Sequence, residues 1–125
     1  MREFTVKDFT PLEDGSHQGK IVRVEYRDEP YAYVDFIILV EDANGLELKY
    51  GCPQNITTTS KLGKLIEVFG RTLTPEETIT ENDIEKLFVG KMMKFMTITE
   101  ISSMRDGTKR EFARVVDGSI KLINK

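Results

Sequence analysis

The sequence predicts one small β-barrel domain of five strands, all-β apart from helices, with a helix between the third and fourth strands. Several segments alternate apolar and polar residues with a period of two, which indicates strands with one buried face. One central segment instead spaces its apolar residues as a helix does. The 125 residues suit one hydrophobic core. We therefore expect residues 1–125 to form a single domain.

The first half of the chain predicts an irregular arm followed by two strands. Residues 1–14 lack sustained periodicity, which is typical of an arm. Residues 20–27 alternate, except that Val22 follows Ile21, which indicates a β-bulge. After a turn at 28–30, the second strand over 31–41 presents two different faces. The predicted core face carries Ala32, Val34, Phe36, Ile38 and Val40, and the opposite face carries Tyr31, Tyr33, Asp35, Ile37 and Leu39.

The middle of the chain predicts a tight turn, a third strand and helical structure. Asn44-Gly45 supplies the positive φ angles of a hairpin turn, and residues 46–50 alternate as a strand that residues 51–53 end. Leu62, Leu65, Ile66 and Phe69 have the spacing of one helical face, which predicts a helix between a cap at Thr59-Ser60 and a stop at Gly70. A second helical turn is expected from near residue 82 or 83 to residue 90. The helical connection over 52–90 is longer than a minimal barrel needs. Either an extra helix caps the barrel or this segment is a partner surface.

The last third of the chain predicts a hairpin. Residues 92–99 have strand character, a turn is expected at 105–108, and a partner strand is expected near 110–116. Residues 118–123 are compatible with a short closing strand. The hairpin carries a cluster of Arg and Lys residues, whereas residues 76–85 are rich in Asp and Glu. We therefore expect a surface with separate basic and acidic regions.

Composition excludes several classes of protein. A net charge of −3 argues against wrapping duplex DNA by bulk charge, although it leaves room for a local basic groove. One cysteine, Cys52, and one histidine, His17, cannot form a disulfide or a four-ligand zinc site. The apolar runs are too short for a membrane span, and the first residues do not resemble a signal peptide. These features predict a cytoplasmic protein.

The order of three strands, a helix and two strands resembles the OB-fold family, whose five-stranded Greek-key barrel carries a helix at this place. This resemblance covers residues 15–123 and is topological. The stretch from Gly51-Cys52-Pro53 through Ser60-Lys61-Leu62-Gly63-Lys64-Leu65 to Phe69-Gly70 is also similar to small single-barrel replication proteins of phages and mobile elements. An SH3-like barrel is the alternative fold, but the central helix fits it poorly. The resemblance implies binding of single-stranded nucleic acid.

Enzymatic chemistry is not visible in the sequence. A nucleophile with its base, a paired carboxylate motif or a phosphate loop would be expected of an enzyme. Gly63-Lys64 does not form a P-loop, because Thr58 stands where the motif needs its first glycine and Leu65 stands where it needs Ser or Thr. We therefore expect a binding protein without a cofactor. An enzyme site within the long connection is the least favoured alternative.

The predicted binding site combines outward tyrosines with cations. In OB-type barrels, ligands bind the face of strands two and three and the neighbouring loops. Tyrosine rings there would stack on unpaired bases, and cations would neutralise phosphates. Ordinary cross-strand packing explains the tyrosines about as well, and a solvated edge explains the cationic hairpin. The candidate residues are Arg23, Arg27, Tyr31, Tyr33, Lys49, Lys94, Arg105, Lys109, Arg110 and Arg114.

The leading hypothesis is a sequence-tolerant, non-enzymatic protein that binds single-stranded DNA or RNA, in replication or recombination. Its binding is expected to weaken steeply as salt rises. The alternative is a protein-interaction or assembly module, including a homo-oligomer. In that case the acidic segment 74–90, or an apolar patch of Ile37 and Leu39, meets another subunit.

Overall fold

A computed structural model describes residues 12–103, 107 and 109–123 of the chain. Within those residues there are six strands and two helices, where the sequence predicted five strands. They are β1 (Gly15–Arg27), β2 (Tyr33–Val40), β3 (Glu47–Pro53), α1 (Lys61–Val68), α2 (Glu81–Phe88), β4 (Met92–Ser103), β5 (Lys109–Val115) and β6 (Lys121–Leu122). The sixth strand is the two-residue β6, which lies within residues 118–123, where the sequence was compatible with a short closing strand. Most of the predicted arm lies outside the described residues.

The six strands form one antiparallel sheet. The strands pair in the order β3-β2-β1-β4-β5, and β6 pairs with β4. β1 is central because its second half pairs with β2 and its first half pairs with β4. β3 and β5 stand at the two ends of this order, so the sheet is not closed by backbone pairing over the described ranges. Both helices lie in the connection from β3 to β4, where the sequence predicted helical structure.

The predicted β-bulge in β1 is confirmed. The pairing of β1 with β2 shifts register between Ile21 and Arg23, so Val22 is the extra residue. Lys20 pairs with Leu39 and Arg23 pairs with Ile37. Directly paired residues of antiparallel strands point to the same face. The bulge therefore brings Lys20 and Arg23 to one face of the sheet, although strict alternation would separate them.

The core lies between the inner face of the sheet and the two helices. α1 buries Leu62, Leu65 and Ile66, which are three of the four apolar residues that predicted it. α2 buries Ile84 and Phe88. The Phe88 ring contacts the rings of Phe36 and Phe69, with ring centroids 4.6 Å apart in each case. The connection from β3 to β4 therefore contributes core residues and covers the sheet.

Both helices begin at side-chain caps. The Ser60 hydroxyl accepts a hydrogen bond from the Gly63 backbone N–H at 3.0 Å, as the sequence predicted for α1. Gly70 follows α1 with a φ of 98°, which fits its predicted role as a stop. α2 begins slightly earlier than predicted, because Thr80 and Asp83 form a reciprocal capping box. Capping therefore sets the start of each helix.

Several strand boundaries and faces differ from the predictions. β1 begins at Gly15, five residues before the predicted start of the first strand, so His17 is a half-buried strand residue. β3 continues to Pro53, because residues 51–53 still pair with β2. β2 begins only at Tyr33, because its pairing with β1 ends at Arg27. Tyr31 and Ala32 consequently lie in the loop between these strands, and Ala32 is exposed rather than in the core.

Two residues of the face that was predicted to be exposed are buried. Asp35 is 0% exposed and Ile37 is 4% exposed. Asp35 is covered because the Arg27 side chain folds onto its carboxylate. Ile37 stands between Arg23 and Lys49 on the neighbouring strands, so an apolar patch of Ile37 with Leu39 does not form. Leu39 alone is 37% exposed.

Candidate nucleic-acid interface

The ends of β1 and β2 carry a compact polar cluster on the outer face of the sheet. The Arg27 guanidinium donates two hydrogen bonds to the buried Asp35 carboxylate, from Nε at 2.5 Å and from Nη2 at 3.0 Å. The same guanidinium lies 4.9 Å from the centroid of the Tyr33 ring. The hydrogen bonds to Asp35 raise the pKa of Arg27. Arg27 is therefore held in one orientation by a charge and a ring.

β3 contributes the space and the polar contacts that this cluster needs. Gly51 pairs with Asp35, and a Cβ atom at Gly51 would lie 2.8 Å from Oδ1 of that carboxylate. A side chain there would displace the carboxylate. The Gln54 side-chain amide donates to the backbone oxygens of Arg27 and Tyr33, at 3.1 and 2.9 Å. β3 and Gln54, the residue that follows it, thus contact both strand ends from the side.

Tyr31 extends from the loop that joins the ends of β1 and β2. It is 74% exposed, the largest exposed fraction among the large apolar and aromatic side chains of the described chain. Tyr33, two residues later, is partly buried beside Arg27. The loop therefore carries one exposed aromatic ring, two residues along the chain from a second ring whose position is fixed. Such an arrangement can stack on planar ligands.

The middle of this outer face is electrically balanced. Arg23 contacts Glu25 at 2.8 Å and Glu47 at 3.0 Å. Hydrogen bonds to Glu47 and Glu25 raise the pKa of Arg23 above its usual range. Lys49 is exposed opposite Ile37 and forms no ion pair with another described residue. Of the two cations beside Ile37, Arg23 is therefore neutralised, and Lys49 is not.

Lys94 lies on β4 and pairs with Gln18 of β1. It borders a cavity of about 660 Å³ whose lining also includes Glu13, Glu41 and Asp42. Three carboxylates in one cavity repel a phosphate unless cations outweigh them. The environment of Lys94 is consequently less favourable to phosphate than the sequence suggested.

The final hairpin carries the other predicted cations. Arg114 contacts Glu100 at 2.5 Å and Asp117 at 4.0 Å, and the hydrogen bond to Glu100 raises the pKa of Arg114. Lys109 is exposed at the end of β5, opposite Ser103. Arg105 and the side chain of Arg110 lie outside the described part of the molecule. Within that part, Arg114 is paired and Lys109 is exposed.

The structure brings together some of the predicted residues and leaves others apart. Arg23, Arg27, Tyr33 and Lys49 share the outer face of β1, β2 and β3, with Tyr31 in the adjoining loop. Lys94, Lys109 and Arg114 lie on β4 and β5, on the other side of β1 in the strand order. Sequence reasoning missed three residues that organise the cluster, Asp35, Gly51 and Gln54. The sequence signal that could have indicated this cluster was Asp35, a charged residue within an otherwise apolar strand.

The outer face of the β4–β5 hairpin is partly apolar. Met96 is 51% exposed, Ile98 is 42% exposed and Phe112 is 40% exposed. The register pairs Ile98 with Arg114 and Phe112 with Glu100, so apolar and charged residues alternate there. Exposed apolar side chains grouped in this way are typical of contact surfaces.

Neither a scan of protein-family models nor a search of curated proteins found a match to this chain.

Across the described ranges, no three His, Cys, Asp or Glu side chains are grouped so that they could hold a metal ion. Neither helix in these ranges has the length and apolar character needed to cross a membrane. The contacts and exposure of the surface residues are therefore the observations that bear on function.

Proposed function

We propose that the protein is an OB-type barrel that binds single-stranded DNA or RNA without strong sequence preference and without catalysis, in replication or recombination. One observation carries the proposal. Tyr31 is exposed in the loop two residues before Tyr33, whose ring lies 4.9 Å from the guanidinium of Arg27 at the ends of two neighbouring strands. Unpaired bases need flat surfaces, and stacking on an aromatic ring contributes about 1 to 3 kcal/mol per base.

The strand order supports the finer assignment to an OB-type barrel. A bulged first strand that pairs with both β2 and β4, and helices between β3 and β4, are features expected of that family. Side chains also span the opening between β3 and the end of β5. The Tyr50 hydroxyl donates to Asp117 at 3.2 Å, and Lys61 of α1 contacts the same carboxylate at 3.4 Å. These contacts support a barrel joined there by side chains.

The test is a fluorescence anisotropy titration with a labelled oligothymidine, repeated with oligouridine and with a duplex. We expect binding of the single strands and weaker binding of the duplex. Tyr31→Ala should weaken single-strand binding about 5- to 150-fold, the equivalent of losing one stacked base. Tyr31→Phe keeps the ring and is the matched control that should bind normally. Because Tyr31 is exposed, neither change should lower the melting temperature.

Two outcomes would contradict this proposal. Absence of single-strand binding at low salt would remove the function altogether. Equal affinity of Tyr31→Ala and the unaltered protein would remove the stacking role of this loop. Preference for oligothymidine or oligouridine would decide between DNA and RNA.

The second candidate function is a protein-interaction or assembly module, with or without self-association. The exposed Met96, Ile98 and Phe112 favour it. The acidic segment 74–90 is less free than its composition suggested, because Arg71 contacts Glu77 at 3.3 Å and Asp83 at 3.9 Å. Light scattering separates the two functions. A stable oligomer that does not bind single strands at low salt would favour assembly.

A further inference from the structure

Ion pairing removes half of the described candidate cations from direct use by phosphate. The structure describes the side chains of six of them, Arg23, Arg27, Lys49, Lys94, Lys109 and Arg114. Arg23, Arg27 and Arg114 each contact a carboxylate within 3.0 Å. The three lysines form no ion pair with another described residue. On the outer face of β1, β2 and β3 itself, Arg23 and Arg27 are paired, whereas Lys20 and Lys49 are exposed and form no ion pair with another described residue.

We infer that Asp35 is a positioning residue that holds Arg27 as a flat stacking surface, and that single strands bind this face with only a shallow dependence on salt. This inference rests on the binding function proposed above. It replaces the steep salt dependence that the number of cations in the sequence predicts. Its two parts have one cause, because the carboxylate that orients Arg27 also neutralises its charge.

The geometry of Arg27 argues for a stacking role. Nε and Nη2 are both occupied by the Asp35 carboxylate, which fixes the plane of the guanidinium. The Tyr33 ring lies at 4.9 Å, yet the Arg27 side chain remains 43% exposed. A phosphate would have to compete with a buried carboxylate for these donors. A base can instead stack on an exposed guanidinium plane, and such stacking tolerates any base.

The burial of Asp35 makes this pairing durable. The Asp35 side chain is only 1% exposed, and its carboxylate has Gly51 as its cross-strand neighbour. A buried carboxylate that loses its cation is costly. Arg27 therefore cannot leave Asp35 for a phosphate without exposing an unpaired buried charge. Arg23 differs, because its partners Glu25 and Glu47 are both substantially exposed.

The salt dependence gives a quantitative test. For single strands, each phosphate contact contributes about −0.7 to the slope of log K against log salt. Contacts from all four cations of this face would give a slope of about −3, whereas the two unpaired lysines, Lys20 and Lys49, would give about −1.4. The slope depends on the number of free cations and not on how well the domain folds. A merely structural role for Asp35 would therefore leave the slope unchanged.

The experiment titrates labelled oligothymidine between about 50 and 200 mM salt. We expect a slope near −1.4 for the unaltered protein, and a slope steeper by about 0.7 for Asp35→Asn, because Arg27 becomes available to a phosphate. Glu67→Gln makes the same change of net charge on an exposed helix position and is the matched control. It should leave the slope unchanged.

The double variant Arg27→Gln with Asp35→Asn keeps the inference testable if Asp35→Asn alone does not fold. It removes both charges and retains groups that can hydrogen-bond. We expect this double variant to have the same slope as the unaltered protein, and an affinity that is reduced by the same factor at every salt concentration. A slope near −3 that becomes shallower by about 0.7 in the double variant would overturn the inference but not the binding function. Absence of binding at low salt would instead overturn the proposed function.

Discussion

Phe88 holds α2 against the sheet, and replacing it tests whether the long connection belongs to the core. Its side chain is 0% exposed, and its ring lies 4.6 Å from both Phe36 and Phe69. Phe88 and Ile84 are the two buried residues of α2. Removal of a fully buried Phe costs about 3 to 5 kcal/mol. A domain of this size has a total stability of about 5 to 15 kcal/mol.

Urea unfolding followed by circular dichroism measures this cost. We expect Phe88→Ala to lower the unfolding midpoint by about 2 M, given typical urea m values. Val89→Ala is the neighbouring control, because Val89 is 39% exposed, and it should cost less than about 1 kcal/mol. A loss for Phe88→Ala as small as that of Val89→Ala would refute the reasoning. The connection would then be a separable surface segment.

Two further predictions concern titratable groups. Burial raises the pKa of the Cys52 thiol to about 12, so iodoacetamide should label it near pH 8 only in urea; labelling of the folded protein would contradict its burial. Backbone N–H groups of Thr80 and Thr74 lower the pKa of Asp83 and Glu77 below their ordinary 3.8 and 4.5. Their stabilisation is present above those values and is lost as pH falls through the lower folded pKa. Acid melts should therefore show a smaller loss for Asp83→Asn, and an unchanged loss would contradict this role of the capping box.

Local patterns predicted most of the fold because they depend on neighbouring residues. The apolar spacing from Leu62 to Phe69 and the cap at Ser60 located α1 within one residue at each end. The adjacent apolar pair Ile21-Val22 located the bulge. Strand ends were less predictable, because the end of a strand depends on its partner. Pairing with β2 extends β3 to Pro53, and no local signal in residues 51–53 indicates it.

The candidate site was predictable only as a set of side chains, and not as a set of charges. The alternation of residues along a strand indicates which face carries Arg27 or Arg23. The ion-pair partner of each cation depends instead on the register of three strands. Asp35 lies opposite Glu25 of β1, yet its carboxylate binds Arg27, which pairs with Tyr33. That diagonal contact forms because Gly51 on the other side leaves room for the carboxylate. Counting cations in the sequence therefore overestimates the charge available to a ligand.

The bulge links the fold to the composition of the proposed binding face. Before the bulge, Lys20 shares the outer face with Leu39, and after it Arg23 and Arg27 share the same face with Ile37 and Tyr33. Without the extra residue, one half of β1 would direct its charged side chains toward the core. Burying such charges without partners would cost far more than a domain of this size can lose. One inserted residue thus allows a single strand to pair with β2 and β4 while its charged residues stay on the outer face. Under the proposed function, the balance of paired and free cations on that face would set how strongly a single strand is attracted.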